Sequence, residues 1–398
     1  MDLRLTEADV ALRDEIRAFC RERQPAVIRE KLVSGKPLSP DDIRTWQLIL
    51  DERGWAAPHW PKEWGGQEWN ATQLFIYNEE LLRAPAMLPE NHNVTQVGPV
   101  IIAFGTDEQK QHFLPRIRRM DYWFCQGFSE PHSGSDLASL KTRAVREGDH
   151  YIVNGQKMWT TQGHNADWMF ALVRTDPAAT KHRGISYLLI NLRSPGITIQ
   201  PIITLGNQRV NAIFFDDVRV PVANRIGEEN RGWDYAKYLM GNSRVNVARI
   251  GLSVNRVQKA KAFAIEALNE GQQLAMQPRF REKVASLEVE LKALEITAMR
   301  IVSDRMKSAG KHQDPKSSIL KLKGAELQQL SAELLLDVAG PLAIADQFAY
   351  LDGRTEECMG PAWGAGAAPT FYLSRQISIA GGTSEIQRNI IAKRILGL

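Results

Sequence analysis

Gln126-Gly127-Phe128-Ser129-Glu130-Pro131-His132-Ser133-Gly134-Ser135-Asp136 is the stretch that decides how this chain is read. It sets small residues, backbone donors and hydroxyls where a main chain can lie against a flat polar ligand or a phosphate. Further on, Gly155-Gln156-Lys157-Met158-Trp159-Thr160-Thr161-Gln162-Gly163 adds one large aromatic face flanked by hydroxyls. A flavin ring asks for that combination: donors along its N1, O2 and O4 edge, a partner near N5, and an apolar plate over one face. Either run alone reads as readily as a surface turn or a core indole. The two together point to a flavin.

Around these runs the periodicity changes twice. From Thr6 to about Met120 the pattern is helical and predicts roughly four to six helices. Thr6 with Asp9 and Thr106 with Gln109 are capping pairs, Ser39-Pro40 places a cap and a first-turn proline, and Gly54 stops the helix carrying Ile43, Trp46, Leu48 and Leu50. From about Asp121, short β-rich runs broken by Gly, Pro and Asp predict an antiparallel barrel or sandwich. They are Tyr151-Ile152-Val153, Trp168 to Val173, Ile185 to Ile190, Ile197 to Ile203 and Ala212 to Phe215. After Pro221 the chain turns helical again. Val284, Leu287, Leu291, Leu294 and Ile301 recur at the spacing of a bundle seam, and residues 360–369 read as a Gly/Ala/Pro loop. The expected domains are residues 1–120 (all-α), 121–230 (β) and 231–398 (helical bundle).

At 398 residues the chain is too long for a single core, and 43% hydrophobic with 24% charged residues is ordinary for a globular protein. A formal net charge of +4 without blocks of like charge gives no nucleic-acid or lipid-headgroup surface. Cys20, Cys125 and Cys358 have no CxxC spacing, so neither a metal site nor a disulfide framework is expected. No stretch approaches a membrane span and the N-terminus lacks an apolar signal core, so the expectation is a soluble, cytoplasmic protein without membrane insertion.

The two runs, with Ile379-Ala380-Gly381-Gly382-Thr383-Ser384-Glu385-Ile386-Gln387-Arg388-Asn389-Ile390-Ile391-Ala392-Lys393-Arg394 near the C-terminus, resemble the acyl-CoA dehydrogenase family in order and spacing. Through Trp60-Pro61-Lys62-Glu63-Trp64-Gly65-Gly66 and residues 129–142 the likeness is greatest to the large subunits of its two-subunit members, of the pimeloyl-CoA dehydrogenase type. The resemblance implies an α+β fold of N-terminal helical domain, middle β domain and C-terminal four-helix bundle. It implies FAD as cofactor, α,β-dehydrogenation of an acyl-CoA thioester to a trans-2-enoyl-CoA, and an electron-transfer flavoprotein or similar acceptor. Gln126, Phe128, Ser129, Ser135, Trp159, Thr160, Thr161, Thr383 and Glu385 would then touch the cofactor. Among these, Ser129 lies at the pyrimidine end of the flavin, Thr161 near N5 and Trp159 along the ring. Ser135, Arg244 and Gly382 would meet the substrate.

The chain departs from the family pattern at the catalytic base. The two positions where the family carries its glutamate read Gly381 and Ser243, neither able to ionise near neutral pH, and Glu385 lies a full turn beyond the first. The catalytic residue is therefore unassigned. Three alternatives remain: another carboxylate enters the site, the flavoprotein does different chemistry such as desulfination, or the chain is a non-catalytic subunit. Gln277-Pro278-Arg279-Phe280-Arg281 and Asp337-Val338-Ala339-Gly340-Pro341 stand where the family reaches across to a neighbour's FAD diphosphate. Asp337 brings a negative charge there and Pro341 removes a donor. The expectation is a heterotetramer with a homologous subunit, a homo-oligomer being the alternative. His132-Ser133 replaces two smaller residues; an exposed loop histidine and an imidazole near a polar acyl group are both open.

Overall fold

A computed structural model describes residues 4–242, 248–269, 271–307 and 315–398. Helices α1 (Glu7–Arg23), α2 (Ala26–Ser34), α3 (Pro40–Glu52), α4 (Ala71–Arg83), α5 (Gly98–Phe104) and α6 (Asp107–Arg119) build the N-terminal part. Thr6, Ser39, Asn70 and Thr106 each close a capping box with the residue three on. Gly54 (φ +77°) lies just past α3, where only a left-handed residue lets the chain turn. The apolar faces converge on Phe19, Trp46, Trp55 and Tyr77, whose polar handles are satisfied inside: Trp46 Nε1 donates to Met87 O at 2.8 Å and the Tyr77 hydroxyl to Trp55 O at 2.7 Å.

Between α4 and α5, His92–Val97 form a π-helical stretch. Asn93 clamps it to the sheet: its side-chain amide donates to Ile117 O and Tyr122 O, both at 2.8 Å, and its oxygen accepts from Phe124 N at 2.8 Å. Single turns of this kind are frequent at functional sites.

The middle part is an eight-stranded sheet of β1 (Phe124–Gly127), β2 (Arg143–Glu147), β3 (His150–Thr161), β4 (Trp168–Arg174), β5 (Ile185–Asn191), β6 (Ile197–Ile203), β7 (Arg209–Pro221) and β8 (Arg225–Ile226). Its order is β6-β7-β3-β2-β4-β5-β8, with β1 beside β4. Pairing is antiparallel except where β1 and β2 meet β4. The β-rich runs in the sequence fall on β3 to β7. The short β1 and the polar β2 carry no such signal.

Then follow α7 (Gly232–Asn242), α8 (Ile250–Ala264), α9 (Pro278–Lys307), α10 (Ser317–Ala339), α11 (Phe348–Leu351), α12 (Ala367–Ser374) and α13 (Ser384–Ile391). The seam residues Val284, Leu287, Leu291, Leu294 and Ile301 are buried against α8 and α10. Residues 360–369 are not a plain loop: a 3-10 turn (Ala362–Gly364) leads straight into α12, and Gly364, Ala365, Ala367 and Ala368 are buried. Small residues serve here for close packing, since a Cβ on Gly366 would stand 2.8 Å from the Gly35 Cα after α2. Among the described residues no helix is long and apolar enough to cross a membrane.

Candidate functional site

The stretch 126–142 is held from beneath by a buried ion pair. Glu130 and Lys157, with side chains 7% and 0% exposed, meet at 2.8 Å. Glu130 also accepts from Lys141 N at 2.6 Å and Thr142 N at 2.9 Å, and the Lys157 ammonium donates to Phe128 O at 3.2 Å and Leu172 O at 2.7 Å. Burial pushes the Glu130 carboxyl up, but the Lys157 charge and these donors hold it below its ordinary value; burial pulls the Lys157 ammonium down while Glu130 opposes. Sequence reading missed this pair because Glu130 lies in the loop after β1 and Lys157 on β3, and no local spacing links them.

The loop is pinned further by main-chain bonds. Glu130 and Ser133 exchange two bonds at 3.1 Å, leaving Pro131 and the exposed His132 as the tip of a tight turn, and Met158 N donates to Ser129 O at 2.9 Å. Gly127 brings β1 against β4 so closely that a Cβ would fall 2.2 Å from Met169 Sδ. The Phe128 ring is core, edge-on to Phe170 and Tyr187, so this residue can meet a ligand only through its backbone.

On the neighbouring strand a β-bulge does the aiming. Lys157 pairs with Ile213 and Thr160 with Asn211, so Met158 and Trp159 together face Ala212. Trp159 adopts φ +62° and its indole is 60% exposed, the conformation of an aromatic plate turned out of the sheet rather than a core residue. Thr160 faces inward with a covered hydroxyl, while Thr161 is half-buried at the surface. Among the described residues no protein group bonds the side chains of Gln126, Ser129 or Thr161. Two free hydroxyls, an amide and an exposed indole, carried by β1, the loop after it and β3, suit a flavin: donors for its edge and an apolar surface for its face.

Beside this seat, Asp136 pairs with Lys181 at 2.9 Å, and Arg174 ties Ala138 O and Arg183 O together, both at 2.7 Å. These bonds attach the exposed Ser135 turn to residues 176–184. That segment, with the start of α7, lines a cleft of about 1080 Å³ that includes Thr180, His182, Arg183, Arg231, Trp233 and Lys237. Thr180, His182 and Arg183 offer donors there that suit phosphate oxygens, while Arg231 and Lys237 are paired with the lining Asp234 at 2.9 Å and 2.8 Å.

Residues 381–385 lie elsewhere. Thr383 caps α13, accepting from Ile386 N at 3.2 Å, and Glu385 is exposed beside Arg388. The helix packs on α10, and the preceding turn meets the sheet through Gln376 and Gln208 at 3.1 Å. Gly381 (φ +70°) has nothing within 4 Å of a would-be Cβ, whereas one on Gly382 (φ +95°) would meet Gln387 Nε2 at 2.7 Å. Ser243 and Arg244 lie outside the described residues. Asp337 is occupied by Lys283 at 2.6 Å. A further pair that sequence reading did not single out, Glu90 and His92, stands at the start of the π-helical stretch with Nδ1 and Oε1 at 2.9 Å.

Family models for the acyl-CoA dehydrogenase N-terminal, middle and C-terminal domains match residues 6–121, 125–218 and 230–396. Among curated proteins, acyl-CoA dehydrogenase FadE26 of Mycobacterium tuberculosis is 34% identical over 100% of this chain and 99% of its own length. Acyl-CoA dehydrogenase IpdE1 of the same organism is 34% identical over 90% and 88%. Among solved structures, the ChsE4-ChsE5 complex from M. tuberculosis matches with TM-score 0.85 at 34% identity, covering 100% of this chain and 99% of that one. The Tcur3481-Tcur3483 steroid ACAD matches with TM-score 0.87 at 29% identity over 100% and 99%.

Proposed function

Because the chain belongs to the acyl-CoA dehydrogenase family, oxidoreductases acting on CH-CH groups, we propose that it is an FAD-dependent dehydrogenase of an acyl-CoA thioester that works with a homologous partner subunit. The observation that carries this reading is the seat: Trp159 turned out at φ +62° beside the Ser129 and Thr161 hydroxyls, on a loop locked by Glu130 and Lys157. FAD bound there would supply a two-electron acceptor for the Cβ hydride. The chain's own part is to orient the ring through Gln126, the Phe128 backbone, Ser129 and Thr161, to cover it with Trp159, and to hold the thioester across it.

In this reading the middle domain, residues 121–230, binds flavin and acyl-CoA between a helical domain (1–120) and the bundle (231–398). The CoA phosphates enter the cleft by Ser135 and Arg183. A steroid-derived acyl group is the substrate class that the Tcur3481-Tcur3483 likeness favours. Electrons leave to an electron-transfer flavoprotein or similar acceptor in the cytoplasm. Thr383, Glu385 and Gly382 would contribute from the bundle side.

The partner subunit is supported by the likeness to the ChsE4-ChsE5 complex and by the diphosphate region. There Asp337 and Lys283 spend their charges on one another, and Pro341 offers no N–H, so a second copy of this chain would complete a neighbouring FAD poorly. The bare Gly381 favours a second reading, a flavin-holding chain whose chemistry depends on the partner or differs from dehydrogenation. Native mass spectrometry and flavin absorbance of the chain, expressed with and without its genomic neighbours, test both. A yellow heterotetramer that bleaches anaerobically with acyl-CoA and yields enoyl-CoA is expected. A colourless protein, or a fully active homotetramer with four FAD, would sink the respective halves of the proposal.

A further inference from the structure

Dehydrogenation needs a base beside the flavin seat, and the titratable groups around that seat are mostly spent. Glu130 is consumed by Lys157, Asp136 by Lys181, and His164 lies against Asn211 with Nδ1 at 3.1 Å from its amide nitrogen. The exception is the pair that opens the π-helical stretch. His92 Nδ1 lies 2.9 Å from Glu90 Oε1, which also receives His92 N at 3.3 Å, and Glu90 N is held by Gln47 Oε1 at 3.0 Å. A carboxylate only accepts, so Nδ1 carries a proton, and in the neutral imidazole the lone pair then sits on Nε2. No protein group among the described residues bonds that Nε2.

The pair is also fixed relative to the seat. The His92 ring lies 6.4 Å from Phe170, the residue in register with Gln126 and in edge contact with Phe128 at 5.7 Å. Asn93 bolts the same turn to Phe124 N at the head of β1. Both side chains are about 15% exposed, His92 at 15% and Glu90 at 14%, enough to be reached but not bathed in water.

We propose that His92, oriented by Glu90, is the general base that removes the Cα proton of the acyl-CoA; this rests on the dehydrogenase reading above. Nε2 would take the proton and the Cα–H electron pair would become the new double bond, while FAD, if held by Gln126, Ser129 and Thr161, would supply the acceptor for the hydride lost from Cβ. His92 is the catalytic residue and Glu90 the positioning residue.

The test follows the proton rather than turnover. The purified full-length protein, with its partner where one copurifies, is incubated anaerobically in D₂O with octanoyl-CoA or cholyl-CoA, and deuterium at Cα is read by mass spectrometry. His92→Asn should cut exchange about 100-fold or more, the usual cost of losing a general base. FAD content, acyl-CoA affinity and circular dichroism should be retained. Glu90→Gln should give an intermediate loss, and His132→Ala none. Should His92→Asn misfold, His92→Gln, which can still bond Glu90, replaces it. Undiminished exchange in a folded variant that binds FAD and acyl-CoA overturns the proposal. Wild-type protein that binds both yet exchanges nothing overturns the base while leaving the flavoprotein reading in place. Protein that binds neither overturns both.

Discussion

Two buried carboxylates divide this molecule. Glu130, under the proposed flavin seat, faces an ammonium and two backbone N–H groups and stays below its ordinary pKa. Glu79, where α4 meets α8, is buried with less help: Arg83 is already paired with Glu295 at 2.7 Å, and one close bond from Gly251 N does not offset burial, which pushes the carboxyl up to about 7. The Glu130 carboxylate is therefore preorganised, its charge matched by Lys157. Glu79 is the mismatched counterpart, although its neighbours in the bundle are paired, and the glycines at 381 and 382 put no side chain forward. A chain built this way can hold a cofactor rigidly while leaving the reacting end to be completed from elsewhere, by the π-helical pair or by a partner.

The largest effect should come from unmatching the matched side. Lys157→Ala strands Glu130 without a cation, and breaking a buried pair from one side costs about 3–5 kcal/mol. Thermal unfolding should drop accordingly and FAD should be lost, because the loop from Phe128 to Thr142 hangs on that ammonium. The stabilisation is present above pH 4.5, the ordinary value for Glu130, and fades as pH falls through its depressed folded value. Wild type should thus approach the variant in acid; a gap that stays constant down to low pH would show that Lys157 acts through packing alone.

Trp159→Ala tests whether the seat is a seat. With 60% of the indole exposed, truncation should leave unfolding nearly unchanged but weaken FAD by about 2 kcal/mol, roughly 30-fold, since the stacked ring loses its apolar cover. FAD retention through dialysis equal to wild type would return Trp159 to the status of an ornament on the sheet.

How much of this was legible beforehand follows from which interactions are local. The caps at Thr6, Ser39 and Thr106, the seam from Val284 to Ile301 and the runs around Ser129 and Trp159 are short-range patterns, and the helical, β, helical order came from such patterns directly. Trp159 could be singled out by type, but its exposure depends on a bulge set by Ala212 on another strand. The Glu130–Lys157 pair, the clamp from Asn93 to Phe124 and the stacking of Gly366 on Gly35 join residues separated by 27, 31 and more than 300 positions, and no pattern within one element encodes them. The π-helical stretch left no signal either, since it differs from an α-helix by one inserted residue.

Glu79→Gln sharpens the mismatched side. A carboxyl raised from 4.5 to about 7 binds its proton more tightly in the folded state, so its contribution is fully present below pH 4.5 and lost as pH rises through 7. The glutamine keeps an acceptor for Gly251 N without a charge to bury. The variant should match wild type near pH 4.5 and exceed it by on the order of 2 kcal/mol at pH 8. Denaturant melts at the two pH values decide it, and equal stability at pH 8 would mean that Arg83 compensates Glu79 after all.

The smallest effect is expected at Gly381, and it separates absence of a base from absence of room for one. An L-residue at φ +70° costs roughly 1–2 kcal/mol in backbone strain, and no further penalty is due because nothing stands within 4 Å of its Cβ. Gly381→Glu should therefore fold with only that loss. Gly382→Ala should lose more, through the Gln387 amide 2.7 Å from its Cβ. If His92 supplies the base, Gly381→Glu leaves Cα exchange of the wild type nearly unchanged. In the His92→Asn background the same substitution reads the geometry: recovered exchange would place the α13 turn over the thioester in this chain, and none would place it over a partner's. A Gly381→Glu variant of the wild type that exchanges Cα deuterium more than about 10-fold faster would mean that the chain lacked an effective base, and the matched and mismatched halves would then divide cofactor from chemistry outright.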